Sequence, residues 1–156
     1  MINQQIVENT VKNLLKIEGL TVNNEERMGA DPQSDFYGKI DFEGSVFLLK
    51  LQDESEKKDG KDVGGENHYI FSINYFVNIK KMPKSKKEID ILRAINTFNE
   101  KHAIVKAIKF KTEGDAFTFW FRNEQLSNKE LSTSVIKDIL TTLKNAPKTL
   151  TSIMKG

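Results

Sequence analysis

The stretch INTFNEKHAIVKAIKFKTEGDAFTFWFR, Ile95 to Arg122, changes its period midway, and that change decides the fold. Ile95 and Phe98 close an apolar helical face that begins at Ile91 and Leu92, and the run breaks at Lys101-His102. From Ala103 the spacing shortens. AIVKAIKFK and AFTFWFR are strand-like runs joined around Glu113-Gly114-Asp115, which predicts a hairpin. Asn96 and Asn99 stand three apart where the helix stops, and asparagine competes well for local backbone partners. Asn96 or Asn99 is expected to bind free backbone groups there rather than a ligand.

Working upstream, Ser85 and Glu88 form an S-x-x-E capping signal with Pro83 just outside it, which puts this helix at about 86–101. Before it, HYIFSINYFVNI reads as a long strand with Tyr69, Phe71, Ile73 and Tyr75 on one side. DFYGKIDFEGSVFLLKLQ alternates through Phe36, Gly38, Ile40 and Phe42 into Glu43-Gly44, which predicts another hairpin, and LTVNNEERM is a weaker extended run. Ile6, Val7, Val11, Leu14 and Leu15 mark a first helix over roughly 3–18, with Gly19 as its stop.

Downstream, Ser127 and Glu130 repeat the capping signal. Leu131, Val135, Ile136, Ile139 and Leu143 carry a third helix to about Asn145. Pro147 is expected to restart the chain, with Leu150, Ile153 and Met154 on a short helical tail at about 147–155. The order is α-β-β-β-α-β-β-α. Short connections favour one antiparallel sheet, with helices packed mainly on one face, an α+β fold.

The bulk properties fit one domain over 1–156. That length supports a single core without disulfides, and 38% hydrophobic with 29% charged residues is a globular balance. A mean hydropathy of -0.49, no apolar run near membrane-span length and no signal-like start predict a chain with no membrane partner. Zero cysteines exclude disulfides, thiol catalysis and sulfur-ligated metals, and fit a cytoplasmic location. The net charge of +2, from 24 basic and 22 acidic residues, is too balanced for a general phosphate-seeking field.

Few residues offer chemistry. Asp53, Asp59 and Asp62 lie in the acidic stretch from Asp53 to His68, but a calcium loop would put Lys57 and Lys58 where a carboxylate and the turn glycine belong. A charged mobile loop at about 53–67 is expected instead. His68 and His102 have no base, nucleophile or second histidine at a working spacing, and no glycine-rich phosphate loop is present. No catalytic residue, cofactor or metal is expected, and the chain is read as a non-enzyme.

Two surfaces remain. KKMPKSKK places Lys80, Lys81, Lys84, Lys86 and Lys87 at a helix entrance, a patch for nucleic acid or another polyanion. In the strands, Phe117, Phe119 and Phe121 share one face of AFTFWFR, so Trp120 points the other way beside Thr118 and Ala116. Ile70 and Phe76 likewise oppose the Tyr69, Phe71, Ile73 set. A second face this apolar is covered either by a partner or by the third helix and C-terminal segment wrapping around. Trp120, Thr118, Ile70 and Phe76 are the candidate partner-binding residues.

The opening stretch also resembles the YbjN-like family of bacterial proteins. Ile95, Asn96, Phe98 and Asn99 match its apolar-Asn-x-aromatic-Asn helix end. Glu113, Gly114 and Asp115 match its hairpin turn, and Ser127 to Glu130 match its next helix entrance. The element order is similar to the type III secretion chaperone fold. The resemblance implies a small α+β protein, often dimeric, with a regulatory or chaperone-like role. It supplies no catalytic residue, and the charged stretch 53–66 and the tail PKTLTSIMKG depart from it. The expectation is a homodimer that binds a protein or peptide, with polyanion binding through the lysine cluster as the alternative.

Overall fold

The computed structural model describes residues 4–24, 35–53, 57–58, 61–62, 68–79, 88–113 and 116–155. Its helices are α1 (Gln4–Leu15), α2 (Glu88–Lys101) and α3 (Thr133–Lys155). Its strands are β1 (Leu20–Asn24), β2 (Asp35–Phe42), β3 (Ser45–Asp53), β4 (Lys57–Lys58), β5 (Lys61–Asp62), β6 (Tyr69–Ile79), β7 (Lys106–Glu113) and β8 (Ala116–Ser127). Six of them form a sheet in the order β1-β2-β3-β6-β8-β7, while β4 and β5 pair with each other. The pairs β1·β2, β2·β3 and β7·β8 are antiparallel. The fold is α+β as expected, with the weak run at Leu20 formed into β1.

The chain gathers into two compact units, residues 1–73 with 124–138 and residues 74–123 with 139–156. In the first, β2 and β3 meet through Glu43-Gly44, with Phe42 paired to Ser45. Both turn residues have positive φ, 48° at Glu43 and 79° at Gly44, the conformation whose twist suits a two-residue hairpin. Phe42, Phe47, Leu49 and Leu51 are buried along this hairpin, whereas Val46, on the opposite parity, is 51% exposed. Alternation of this kind belongs to a strand covered on one side.

Helix α1 buries Thr10 and Leu14, with Ile17 one turn further, and half-buries Ile6, Val7 and Val11, so the expected stripe holds except at Leu15, which is exposed. The helix ends at Leu15, not 18, because Ile17 N–H turns back to the Leu14 carbonyl. Gly19, at φ 75°, serves the turn into β1. Asn13 Nδ2 donates to the Leu131 carbonyl at 2.8 Å, and Thr133 Oγ1 donates to the Asn13 carbonyl at 3.1 Å, tying α1 to the start of α3.

In the second unit, the helix-to-hairpin reading of 95–122 is what forms. Phe98, Phe119 and Phe121 are buried, and Phe98 meets Phe121 edge to face at 5.8 Å between centroids. The buried faces of α2 (Ile91, Ala94, Ile95, Phe98) and of β8 therefore come from the two periods seen in the sequence.

Three expectations are corrected. The stretch 53–67, expected as a loop, contains the β4·β5 pair among its described residues. The cap of α3 is Ser132, whose Oγ accepts from Val135 N–H at 3.3 Å, and not Ser127. Ser127 instead ends β8 and bonds both the N–H and carbonyl of Lys129. Pro147 does not restart the chain. It sits inside α3, and 147–155 continues the same helix. Leu143, Ala146, Leu150 and Met154 are buried on both sides of the proline, so one apolar stripe crosses it and offsets the lost hydrogen bond. The cap Ser85 and the lysines of 80–87 lie outside the described residues.

Candidate functional site: the Phe76–Trp120 face

Within β8 the odd positions turn inward and the even ones outward. Phe119, Phe121 and Asn123 are buried, while Thr118, Trp120 and Arg122 are half-buried. Trp120 therefore sits where the parity of AFTFWFR puts it. From β6, Phe76 joins it: the rings stack at 5.5 Å between centroids with planes 19° apart, and Phe76 is 49% exposed. The indole is held in orientation, since Trp120 Nε1–H donates to Asn74 Oδ1 at 2.8 Å. The Arg122 guanidinium lies 5.3 Å from the Trp120 ring centroid, within cation–π range.

The β7·β8 register adds charge to this aromatic pair. Lys109 is the cross-strand partner of Trp120 and Lys111 that of Thr118, so both stand on the same side of the hairpin. Glu113, opposite Ala116, lies 2.6 Å from Lys111 Nζ. Their hydrogen bond and charge attraction hold the Glu113 carboxyl below, and the Lys111 ammonium above, their usual ranges. The result is a small apolar floor with Lys109, Lys111 and Arg122 on its side, together with the carboxylates of Glu113 and Glu124.

Three of the expected four residues, Phe76, Thr118 and Trp120, lie in the second unit. Trp120 and Phe76 are in ring contact, and Thr118 is two residues from Trp120 on the same side of β8. Ile70 has the parity of Phe76 on β6 and is half-buried, with Ser72 between them 5% exposed. Asn74, Arg122 and Lys109 were missed. Arg122 was legible as the residue two beyond Trp120. Lys109 follows from counting back from the turn, since the register is unbroken from Glu113–Ala116 to Lys109–Trp120 and the β-bulge comes only beyond it, between Lys109 and Ala107.

Asn99 Nδ2 donates to the Ala107 carbonyl and Asn99 Oδ1 accepts from Ala107 N–H, both at 2.8 Å. One side-chain amide thus satisfies both backbone groups of a residue on β7, the last strand of the sheet order. Asn96 is simply exposed. His102 ends α2: its Nδ1–H donates to the Phe98 carbonyl at 2.8 Å, and its ring stacks on Phe98 at 4.2 Å. Lys106 Nζ reaches the Asn99 and His102 carbonyls, each at 2.5 Å, where a cation suits the negative helix end.

The first unit has a polar cluster of its own. The Tyr69 hydroxyl donates to the Lys129 carbonyl in the company of the Ser127 and Thr10 hydroxyls. Burial pushes its pKa above the ordinary tyrosine value, against the pull of those two hydroxyls, and Glu130 adds to the rise. Among the described residues no group of three or more His, Cys, Asp or Glu could hold a metal ion. No described helix is long and apolar enough to cross a membrane.

Charge divides unevenly between the units. The segments of the first hold 10 Lys and Arg against 17 Asp and Glu, a net of -7. Those of the second hold 14 against 5, a net of +9, and the two together restore the chain's 24 and 22. The Phe76–Trp120 face belongs to the cationic unit.

No family model, no curated protein and no solved structure matches this chain.

Proposed function

We propose that the chain is a non-enzymatic protein-binding module, regulatory or chaperone-like, that acts as a cytoplasmic homodimer and takes a protein or peptide partner on the Phe76–Trp120 face. The observation that carries this reading is the pair itself: two large rings, one of them half-exposed, pre-stacked on the outward parity of their strands. Oriented aromatic surface left in water costs free energy that a partner recovers, and ordering it beforehand lowers the entropy cost of binding. Pairing with a second copy is supported by apolar surface in the other unit, where Val46 is 51% and Leu126 is 65% exposed. The likeness of 95–130 to YbjN-like proteins, and of the element order to type III secretion chaperones, leans the same way.

Recovery of the tagged protein from its native cell, with and without high salt, tests the reading. A protein that stays bound in high salt supports it. Light scattering at micromolar concentration tests the self-pairing, and a strict monomer removes that half.

A second reading, polyanion binding through Lys80, Lys81, Lys84, Lys86 and Lys87, is favoured by one observation, the net +9 of the unit whose segments include them. Under it the recovered partner is nucleic acid and is lost steeply as salt rises.

A further inference from the structure

We propose that the Phe76–Trp120 face docks an acidic peptide segment bearing a large apolar residue, an inference that rests on the protein-binding reading above. The floor is apolar and already ordered, with Phe76 stacked on an indole whose N–H is fixed by Asn74. Cations stand beside it. Lys109 stands across from Trp120, Arg122 lies over its ring, and Lys111 stands across from Thr118. On this side, among the described residues, the strands carry two carboxylates, Glu113, which Lys111 engages, and Glu124, two residues beyond Arg122 on β8.

A ligand that matches this surface packs an apolar side chain on Phe76 and sets a carboxylate against the Lys109 ammonium, with Arg122 adding its charge over the indole. Among the described residues of the same unit 9 basic stand against 4 acidic, a sign that steers an acidic partner toward it.

The local structure also narrows how such a segment lies. It does not add to β7 as another strand at Ala107, because Asn99 already occupies both backbone groups there and the bulge follows at once. It crosses the face. A single-stranded nucleic acid shares the charge but stacks successive bases on free rings. Among the described residues on this side, Phe76 is the one ring that is half-exposed, with Trp120 packed against it.

Trp120 is the sole tryptophan of the chain, so its emission reads the site directly. The full-length protein is titrated with three probes: a short Asp/Glu peptide carrying two leucines, the same peptide with Asn and Gln in place of the acids, and oligothymidylate of equal length. The acidic peptide saturates a shift in Trp120 emission, and the neutral one binds at least about tenfold more weakly, the loss expected for one charge-assisted hydrogen bond. Lys109→Gln with Arg122→Gln abolishes that preference, while Lys148→Gln, exposed on α3, keeps it.

Equal binding of the acidic and neutral peptides overturns the acidic preference and leaves the protein-binding reading standing. Oligothymidylate binding without peptide binding overturns both and assigns the surface to nucleic acid. Silence of Trp120 toward all three probes overturns docking at this face.

Discussion

A single amide at Asn99 does for Ala107 what a neighbouring strand would do with its backbone, donating and accepting at once. Asn99→Ala leaves a part-buried N–H and carbonyl without those bonds, at an expected cost of about 1–3 kcal/mol. A lowered urea midpoint, with added concentration-dependent scattering as the strand edge opens, is the expected outcome. Tyr69 makes a prediction in pH. Its folded pKa lies above the unfolded value, so its contribution is complete below about pH 10 and fades as pH rises through the higher, folded value. Tyr69→Phe keeps the ring but loses the bond to Lys129, costing about 1 kcal/mol at neutral pH. Urea midpoints of the two proteins should converge as the pH is raised past 10, because the Phe variant has no hydroxyl to ionise. The structural role of Asn99 was legible because asparagine at a helix end has few other uses. Its partner Ala107 was not, since only the folded hairpin brings that backbone within reach.

At the scale of elements, period carried most of the information and punctuation less. Ile91, Ile95 and Phe98 on a helix, then Phe119 and Phe121 on a strand, bury the faces that their spacing implies. Breakers misled where a longer pattern outweighed them. Pro147 ended the third helix in the sequence reading, yet the apolar stripe keeps its phase from Leu143 to Leu150 and the helix runs through. Pro147→Ala restores the missing N–H toward Leu143 and should stabilise the fold by up to about 3 kcal/mol, seen as a higher thermal midpoint. A lower midpoint would mean that the ring itself packs at that site. Ser127 misled for a related reason. A S-x-x-E pattern caps a helix only where the strand has already ended, and β8 runs on to Ser127 itself.

For the whole molecule, a net charge of +2 conceals units of -7 and +9, because the sum over a chain discards where the charges lie. The division follows contacts that interleave distant segments, 139–156 with 74–123 and 124–138 with 1–73, so no window of the sequence displays it. Two-sided strand hydrophobicity was visible in advance, and so was Trp120 as its marker. Which residue of another strand stacks on Trp120 depended on strand order, which sets β6 beside β8. The central claim is that this indole faces a partner and is not part of the core, and Trp120→Glu tests it most directly. Glu at this position stands beside Lys109 and Arg122, which favour its charge. The variant, followed by thermal melting and by recovery from its native cell in high salt, should melt cooperatively within a few degrees of the wild type and lose its bound protein. Loss of cooperative folding, or an undiminished partner, would contradict the account.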